Sequence, residues 1–538
     1  MLASQRIIFN TSIMYAKTVL TLGITLYSTR IILNELGEND FGIYNVVAGV
    51  IAMLSFLTHA MSQSTRRYMS NAIGKKDIEL LATIFKSSIK IHLIWGCAFV
   101  LLLEVLGVFL FNGFLNIPPH RLSTAYFVFH CMVASTFCSI TVIPYVAAIN
   151  SHEDIFVISI IYTLESFAKL GIAFYLQYTL HDKLIVYGLL LATIYCIATL
   201  IYRWYCHTHY KEIHIKIKTN KDTTKELVKF SFWTVIGNAS RIISTQGSTI
   251  LLNLFGGTVA NAAYGIANQV NGQMSFFSAS LLQAIEPQIM KSEGNNDTHR
   301  MKRLSLLTCK LSFFLISFFS IPIFCKMPYI LNLWLKDVPE YTVIFCRIIL
   351  LTALMSQITM GLQSGIYAKG RIRNYQLVMS IIQLLSLPLA FILLKAGFPV
   401  EIILYSLLMA ETAMGISRII LAKHLIHIKI AILIKEMLLP SLAACIATFI
   451  AVNYSSSLFM TDSIFTFLML CLESFLVYSC LFWIIVLNKN EKQSFVKLLK
   501  NYSFLKNEVV HKHNFCTKNR EQSQRKAKFS LKISRSAS

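Results

Sequence analysis

Gly42-Ile43-Tyr44-Asn45-Val46-Val47-Ala48-Gly49 returns as Gly265-Ile266-Ala267-Asn268-Gln269-Val270-Asn271-Gly272, five identities in eight at an offset of 223. Two more pairs hold a similar spacing: Ile31-Ile32-Leu33-Asn34 with Gly37 answers Ile250-Leu251-Leu252-Asn253 with Gly256, and Pro118 answers Pro339. The chain reads as an internal duplication. Same-direction repeats separated by an even number of membrane spans predict two halves related by an axis along the membrane normal. That is the plan of a rocking transporter with its site between the halves.

Of the 538 residues, 55% are hydrophobic and 14% charged, against about 25% charged in soluble domains. Apolar stretches of the ~20 residues needed to cross a bilayer recur throughout. They predict an all-α polytopic membrane protein with fourteen spans at 7–33, 41–62, 87–111, 122–148, 154–177, 184–202, 230–253, 261–285, 308–335, 341–367, 375–394, 400–417, 434–453 and 464–487. The expected plan is six plus six plus two: a first lobe at 1–206, a basic linker at 207–229, a second lobe at 230–427, two further helices at 428–488 and a basic tail at 489–538.

The net charge of +23 raises nucleic acid as a partner, and its distribution argues against it. With the N-terminus inside, inner segments hold 37 of the 49 Lys and Arg and outer loops hold 5. This asymmetry is the positive-inside pattern and predicts both termini in the cytoplasm. The first outer loop, Asn34 to Asp40, has three acids and no base, in agreement. The segment Arg203 to Lys229 reads as a linker between moving lobes. In the tail, Phe495, Leu498, Leu499, Tyr502 and Leu505 suggest an interfacial helix. Twelve scattered cysteines without CxxC spacing read as small buried apolar residues. His207-Thr208-His209 lacks the carboxylate or cysteine company a metal needs.

Four spans are unusually polar. In the eighth, Asn261, Tyr264, Asn268, Asn271, Ser275 and Ser278 follow helical steps onto one face. Span 2 carries Asn45, Ala48, Ala52, Ser55, His59, Ser62 and Arg66, and its first four members align with Asn268, Asn271, Ser275 and Ser278 at the offset of 223. Span 7 has Thr234, Asn238, Arg241, Thr245 and Ser248, and span 1 has Lys17, Thr21, Thr25 and Ser28. Interhelical hydrogen bonding accounts for part of such a pattern. A full-length stripe with an embedded cation, in repeat-related spans, favours a water-filled cavity.

A cation at mid-bilayer costs at least ~2.5–3.5 kcal/mol, so each needs a partner, a snorkelling route or a task. Lys90 and Lys310 lie near span ends and can snorkel. Lys169 has Glu165 one turn away. Lys17 and Arg241 lie deep, with no acid at helical spacing in their own spans, and are the leading candidates for an anion site. Arg30 and Arg347, toward outer ends, are further candidates. Glu104 and Glu411 are candidates for carrying a coupling proton.

Arg30 with Leu36-Gly37, Phe41-Gly42-Ile43-Tyr44, Pro287 and Leu333-Trp334-Leu335 resemble the polysaccharide-exporter branch of the multidrug/oligosaccharidyl-lipid/polysaccharide superfamily, the bacterial O-antigen and capsule repeat-unit flippases. The resemblance covers roughly residues 5 to 487. It implies a MATE-like fold, a V-shaped pair of lobes, and a cationic cavity for the diphosphate and sugars of an undecaprenyl-linked oligosaccharide. It further implies a place in the bacterial inner membrane, beside membrane lipids, polysaccharide polymerase and glycosyltransferases, and a transporter rather than an enzyme. No cofactor is expected, with H+ or Na+ as the candidate coupling ion. In the expected site, Lys17, Arg241, Arg30, Arg347 and Lys169 bind substrate, and Asn45, Asn238, Asn268, Asn271 and Ser275 line the cavity. The competing reading is a multidrug or other small-molecule cation antiporter on the same fold, which would favour acids in the cavity.

Overall fold

The computed structural model describes residues 3–493, except 54, 110, 112–117, 218, 336–337 and 459–462, together with residue 496. The residues of the expected interfacial helix, and the basic tail beyond 493 apart from residue 496, lie outside the described residues. Among the described residues the chain is helical, without strands.

Two features dominate the helix order. The first long helix, α1 (Ala3–Met53), is broken at Gly37 (φ 74°) and followed by α2 (Ser55–Lys75). The other, α8 (Lys221–Gly294), is broken at Gly257 (φ 68°). A straight helix of 74 residues would run about 110 Å, far beyond a bilayer. Contacts show that both double back: Phe230 and Ile289, near the two ends of α8, share one apolar core. Near one end of the molecule Asn10 donates to the Glu153 carbonyl at 3.1 Å and Ser70 to Ser151 at 3.1 Å, while between them Glu35 meets Lys183 at 2.8 Å at the opposite end. The stretch Asn34 to Asp40, expected as a loop, is therefore helix reversed at one glycine. Left-handed φ there is open to glycine without the Cβ clash that other residues meet.

The repeat is present, and its register is 220. Gly37 and Gly257 share the reversal, Lys76 and Asn296 share a left-handed turn (φ 58° and 57°), and Asp77 and Asp297 cap the next helices through Leu80 N (2.8 Å) and Arg300 N (2.9 Å). The chain length from Gly37 to Gly74 equals that from Gly257 to Gly294. The eight-residue match at offset 223 thus lies about one turn out of structural register, and Gly256 is displaced by one from the true partner of Gly37. Short, small-residue helical motifs recur often enough that identity alone does not fix a register.

The remaining first-lobe helices are α3 (Ile78–Phe109), α4 (Leu122–Thr141), α5 (Ile143–His152), α6 (Ile155–Tyr178) and α7 (Lys183–His209). After α8 come α9 (Thr298–Cys325), α10 (Met327–Trp334), α11 (Thr342–Gln357), α12 (Met360–Lys369), α13 (Arg373–Lys395) and α14 (Ile402–Leu425). Next are α15 (Ile430–Leu433), a π turn, α16 (Leu439–Leu458) and α17 (Ile464–Leu481). Nine described helices are long and apolar enough to cross a membrane, and the α11–α12 pair, bent by 41°, makes a tenth. The other four of fourteen crossings are the arms of α1–α2 and α8, which carry the polar stripes and are not among those ten. Separate apolar cores fill each lobe. The last two spans pack on α9, where Phe314 stacks on Tyr478.

The end of the molecule that carries most Lys and Arg, here the basic end, is where the lobes close on each other. Arg66 pairs with Glu286 at 2.5 Å, and Arg67 donates to the carbonyls of Tyr367 (2.5 Å) and Ala368 (3.0 Å). Lys291 and Gln288 of α8 both hold Glu153. A Cβ on Gly74 would overlap the Lys291 carbonyl, and one on Gly294 the Asn71 carbonyl, so paired glycines let the two helices touch across the pseudo-two-fold.

The linker differs from expectation. Helix α7 continues to His209 and α8 begins at Lys221, so little of Arg203 to Lys229 is free. Tyr210 donates to Asp154 at 2.6 Å, and the buried Glu212 meets His152 at 2.6 Å. Burial pushes the Glu212 carboxyl up, but the bond to His152, a backbone N–H and the imidazole charge together outweigh this and leave it below the usual glutamate range. At the opposite end Arg121 clasps Asp40 and Asp182; burial raises Asp182, and the guanidinium together with the Ile185 and Leu184 N–H groups outweighs it, holding that carboxyl below its ordinary range.

Candidate functional site

The polar stripe of α8 faces a cavity of about 220 Å³ in the second lobe, lined among others by Asn238, Arg241, Tyr264, Asn268, Asn271 and Glu411. Helical spacing in α8 brings the first five onto this wall, and α11, α12, α13 and α14 supply the rest. Ser275 lies next to it and donates to Asn271 at 3.2 Å, and Ser278 donates to Gln357 at 2.5 Å. The side chain of Asn45 lies outside the described residues.

The far wall contains residues that the sequence reading missed. Arg418, fully within α14, pairs with Glu411 at 2.9 Å and donates to Thr359 at 3.1 Å. Tyr375 donates to Gln363 at 2.8 Å, Gln376 to the Tyr367 hydroxyl at 2.9 Å, and Gln383 to Ser244 at 2.9 Å. Gly237 permits Gln376 to approach, since a Cβ there would overlap its amide. The span boundary drawn at 417 left Arg418 outside the membrane, although the helix runs to Leu425. Glutamines on apolar spans were the available signal.

Arg241 is exposed to this space. His59, from the opposite lobe, lies within electrostatic reach of Arg241, Arg66 and Glu286, so the cavity abuts the seam between lobes. His59 sat on the span 2 stripe without being singled out.

Lys17 belongs to a different cluster. Its ammonium sits 4.5 Å from the Tyr162 ring centre, and it shares the charge of Glu165 with Lys169. Lys169 in turn donates to the Tyr195 hydroxyl at 3.2 Å. The absence of an acid in span 1 is thus made good by α6, across helices, which one-helix spacing does not reveal. The structure places Lys17 and Lys169 together in the first lobe and Arg241 in the second.

Arg347 lies outside the cavity, bonded to the Phe324 carbonyl at 3.4 Å with its guanidinium over that ring. Arg30 is exposed on the outer half of α1. Glu104 meets His130 at 3.0 Å on a partly exposed face of the first lobe, beside exposed Leu101, Val105 and Val108. Lys310 does not snorkel: it is buried and paired with Glu491 at 2.8 Å. Among the described residues no group of three His, Cys, Asp or Glu is placed to hold a metal.

Two lobes of six helices, each with a broken polar hairpin facing its partner, plus two appended helices, make the MATE-like fold. Solved structures share it at low identity. A MATE transporter in the bent conformation matches with TM-score 0.71 at 12% identity over 79% of this chain and 96% of that one. An outward-facing multidrug-resistance MATE transporter gives 0.68 at 13%, covering 78% and 95%. A MOP-superfamily transporter from Pyrococcus furiosus, described as having a binding pocket of reversed polarity, gives 0.67 at 12%, covering 80% and 96%. The model of the polysaccharide biosynthesis protein family matches residues 4–293, more than half of the chain, and the protein belongs to that family. No curated protein matches it.

Proposed function

We propose that the protein flips undecaprenyl-diphosphate-linked oligosaccharide repeat units across the bacterial inner membrane for surface polysaccharide such as O-antigen or capsule, by alternating access. One observation carries this reading: in the second-lobe cavity Arg418 already neutralises Glu411, so Arg241 gives the polar wall a net positive charge. A diphosphate entering a low-dielectric space needs fixed cations, and the asparagines and glutamines suit sugar hydroxyls. About 220 Å³ accepts a phosphate-sized group, so the sugars would lie between the lobes, with Lys17 and Lys169 on the facing wall and the prenyl chain in lipid. A cation antiporter would need Glu411 free, and its pairing with Arg418 argues against that use.

With the basic end taken as cytoplasmic, the closed seam corresponds to an outward-open state, and breaking Arg66–Glu286 and Lys291–Glu153 would open the inward one. Polymerase and glycosyltransferases are the expected neighbours, and H+ or Na+ the expected coupling ion. The test is translocation of lipid-linked oligosaccharide in vesicles. Arg241→Ala and Lys17→Ala should each lose most transport at normal expression, and Arg241→Lys should be intermediate because it keeps charge and loses the planar fork. Alanine variants that transport at the parental rate would rule out the cationic-cavity mechanism.

A further inference from the structure

At the basic end, a second cavity of about 690 Å³ opens where the lobes meet, walled by α2, the start of α8 and the α12–α13 turn. Six cations line it, Arg67, Lys75, Lys229, Lys369, Arg371 and Arg373, against one carboxylate, Glu226. Lys369 is paired with Glu293 at 2.7 Å. Among the described residues no carboxylate pairs with Lys75, Lys229, Arg371 or Arg373.

The site is built as well as charged. Arg67 is buried, spends Nε and Nη2 on the Tyr367 and Ala368 carbonyls, and lies over the Phe230 ring at 5.0 Å, which leaves Nη1 unused by those bonds. Gly370, at φ 80°, leaves room for that guanidinium, which a Cβ would overlap. Arg373 lies over Trp233 at 5.5 Å and stands at the first turn of α13, whose free N–H groups and positive dipole end face the same turn. Leu80, Ile84 and Leu425 add apolar surface beside the charge.

Ordinary inner-face basicity would load both seams of a duplicated fold alike. It does not. The left-handed Glu153 corresponds to the left-handed Gly370, which sets Asp154 opposite Arg371 and Phe156 opposite Arg373. In the 220 register Pro287 stands for Arg67, Asn295 for Lys75, Arg300 for Leu80 and Arg6 for Glu226, and two cations of the mirrored seam are engaged, Lys291 with Glu153 and Arg300 with Gln288.

We propose that this seam pocket binds a phosphate group, borne by an anionic lipid or free in solution, and that the bound phosphate holds the lobes closed at the basic end. Basic pockets between membrane helices recognise phosphorylated head groups, and a ligand contacting both lobes binds only the closed arrangement, so it shifts the population toward it. The site is separate from the Arg241 cavity and does not rest on the transport reading.

The full-length protein is reconstituted in nanodiscs of phosphatidylcholine with increasing phosphatidylglycerol, and thermal unfolding and labelling of a cysteine placed at Ala284, buried near the seam, are followed. A parallel titration in detergent uses inorganic pyrophosphate. Phosphatidylglycerol should raise the unfolding midpoint and slow labelling, and the Arg371→Gln/Arg373→Gln double variant should need about tenfold more of it. Lys211→Gln, a cation of the same end outside the pocket, should respond as the parent. A response to both probes assigns the site to phosphate as such, and a response to the lipid alone assigns it to a head group. Should the arginine variant not fold, Lys75→Gln/Lys229→Gln replaces it, both side chains being exposed. No response to either probe, or equal loss in Lys211→Gln and the pocket variants, overturns the proposal.

Discussion

Arg418 and Glu411 show what a buried ion pair does to a functional assignment at the scale of one residue. Removing one partner of such a pair leaves the other charged in an apolar surround and costs roughly 3–5 kcal/mol. Glu411→Gln should therefore lower the thermal midpoint of the purified protein sharply, and Arg418→Met should do the same, whereas Glu411→Gln/Arg418→Met should recover much of the loss. A glutamate carrying coupling protons would instead give near-normal stability with a flattened pH profile of transport. Glu212 makes the pH statement outside the membrane. Its carboxyl is depressed in the fold, so the stability it adds is fully present above the ordinary glutamate value and is lost as pH falls through the lowered one. Glu212→Gln should remove that acid-side loss in a pH series of unfolding midpoints, with neutral-pH stability reduced. Such cross-helix partners, His152 for Glu212 and Glu165 for Lys17, are invisible to spacing within one span, which is why the candidate cations were legible and their neutralisation was not.

Among the elements, the broken hairpins α1–α2 and α8 carry most of the information. Their polarity made them legible as cavity walls, while the glycine reversal leaves no loop composition to read. The paired glycines at their basic ends make a sharp prediction. Gly74→Ala or Gly294→Ala adds a methyl where a backbone carbonyl of the other lobe already lies, so the seam cannot close fully. Labelling of a cysteine at Ala284 should rise several-fold in either variant, while Gly171→Ala, whose new methyl meets nothing, should leave it unchanged. Equal labelling in all three would show that the helices part without effort and that the glycines are incidental.

For the molecule as a whole, the charge asymmetry predicts a single orientation. A cysteine at His181 should label from outside intact cells and one at His427 only after permeabilisation, in a background lacking the exposed Cys97, Cys196 and Cys480; the reverse pattern would invert the topology. The six-plus-six-plus-two plan was legible because each span must bury its own backbone in lipid, whereas the register and the seam depend on contacts between distant helices. The anchored connection between lobes adds a mechanical consequence. Tyr210 and Glu212 fasten the chain to the first lobe, Lys86 grips the Ile217 carbonyl at 3.3 Å, and α8 starts at Lys221. A chain this short extends only about 3.3–3.6 Å per residue, so it works as a leash with a hard stop. In the proposed alternating-access cycle the stroke at this end would be set by leash length, and only peeling the leash from His152 and Asp154 would lengthen it.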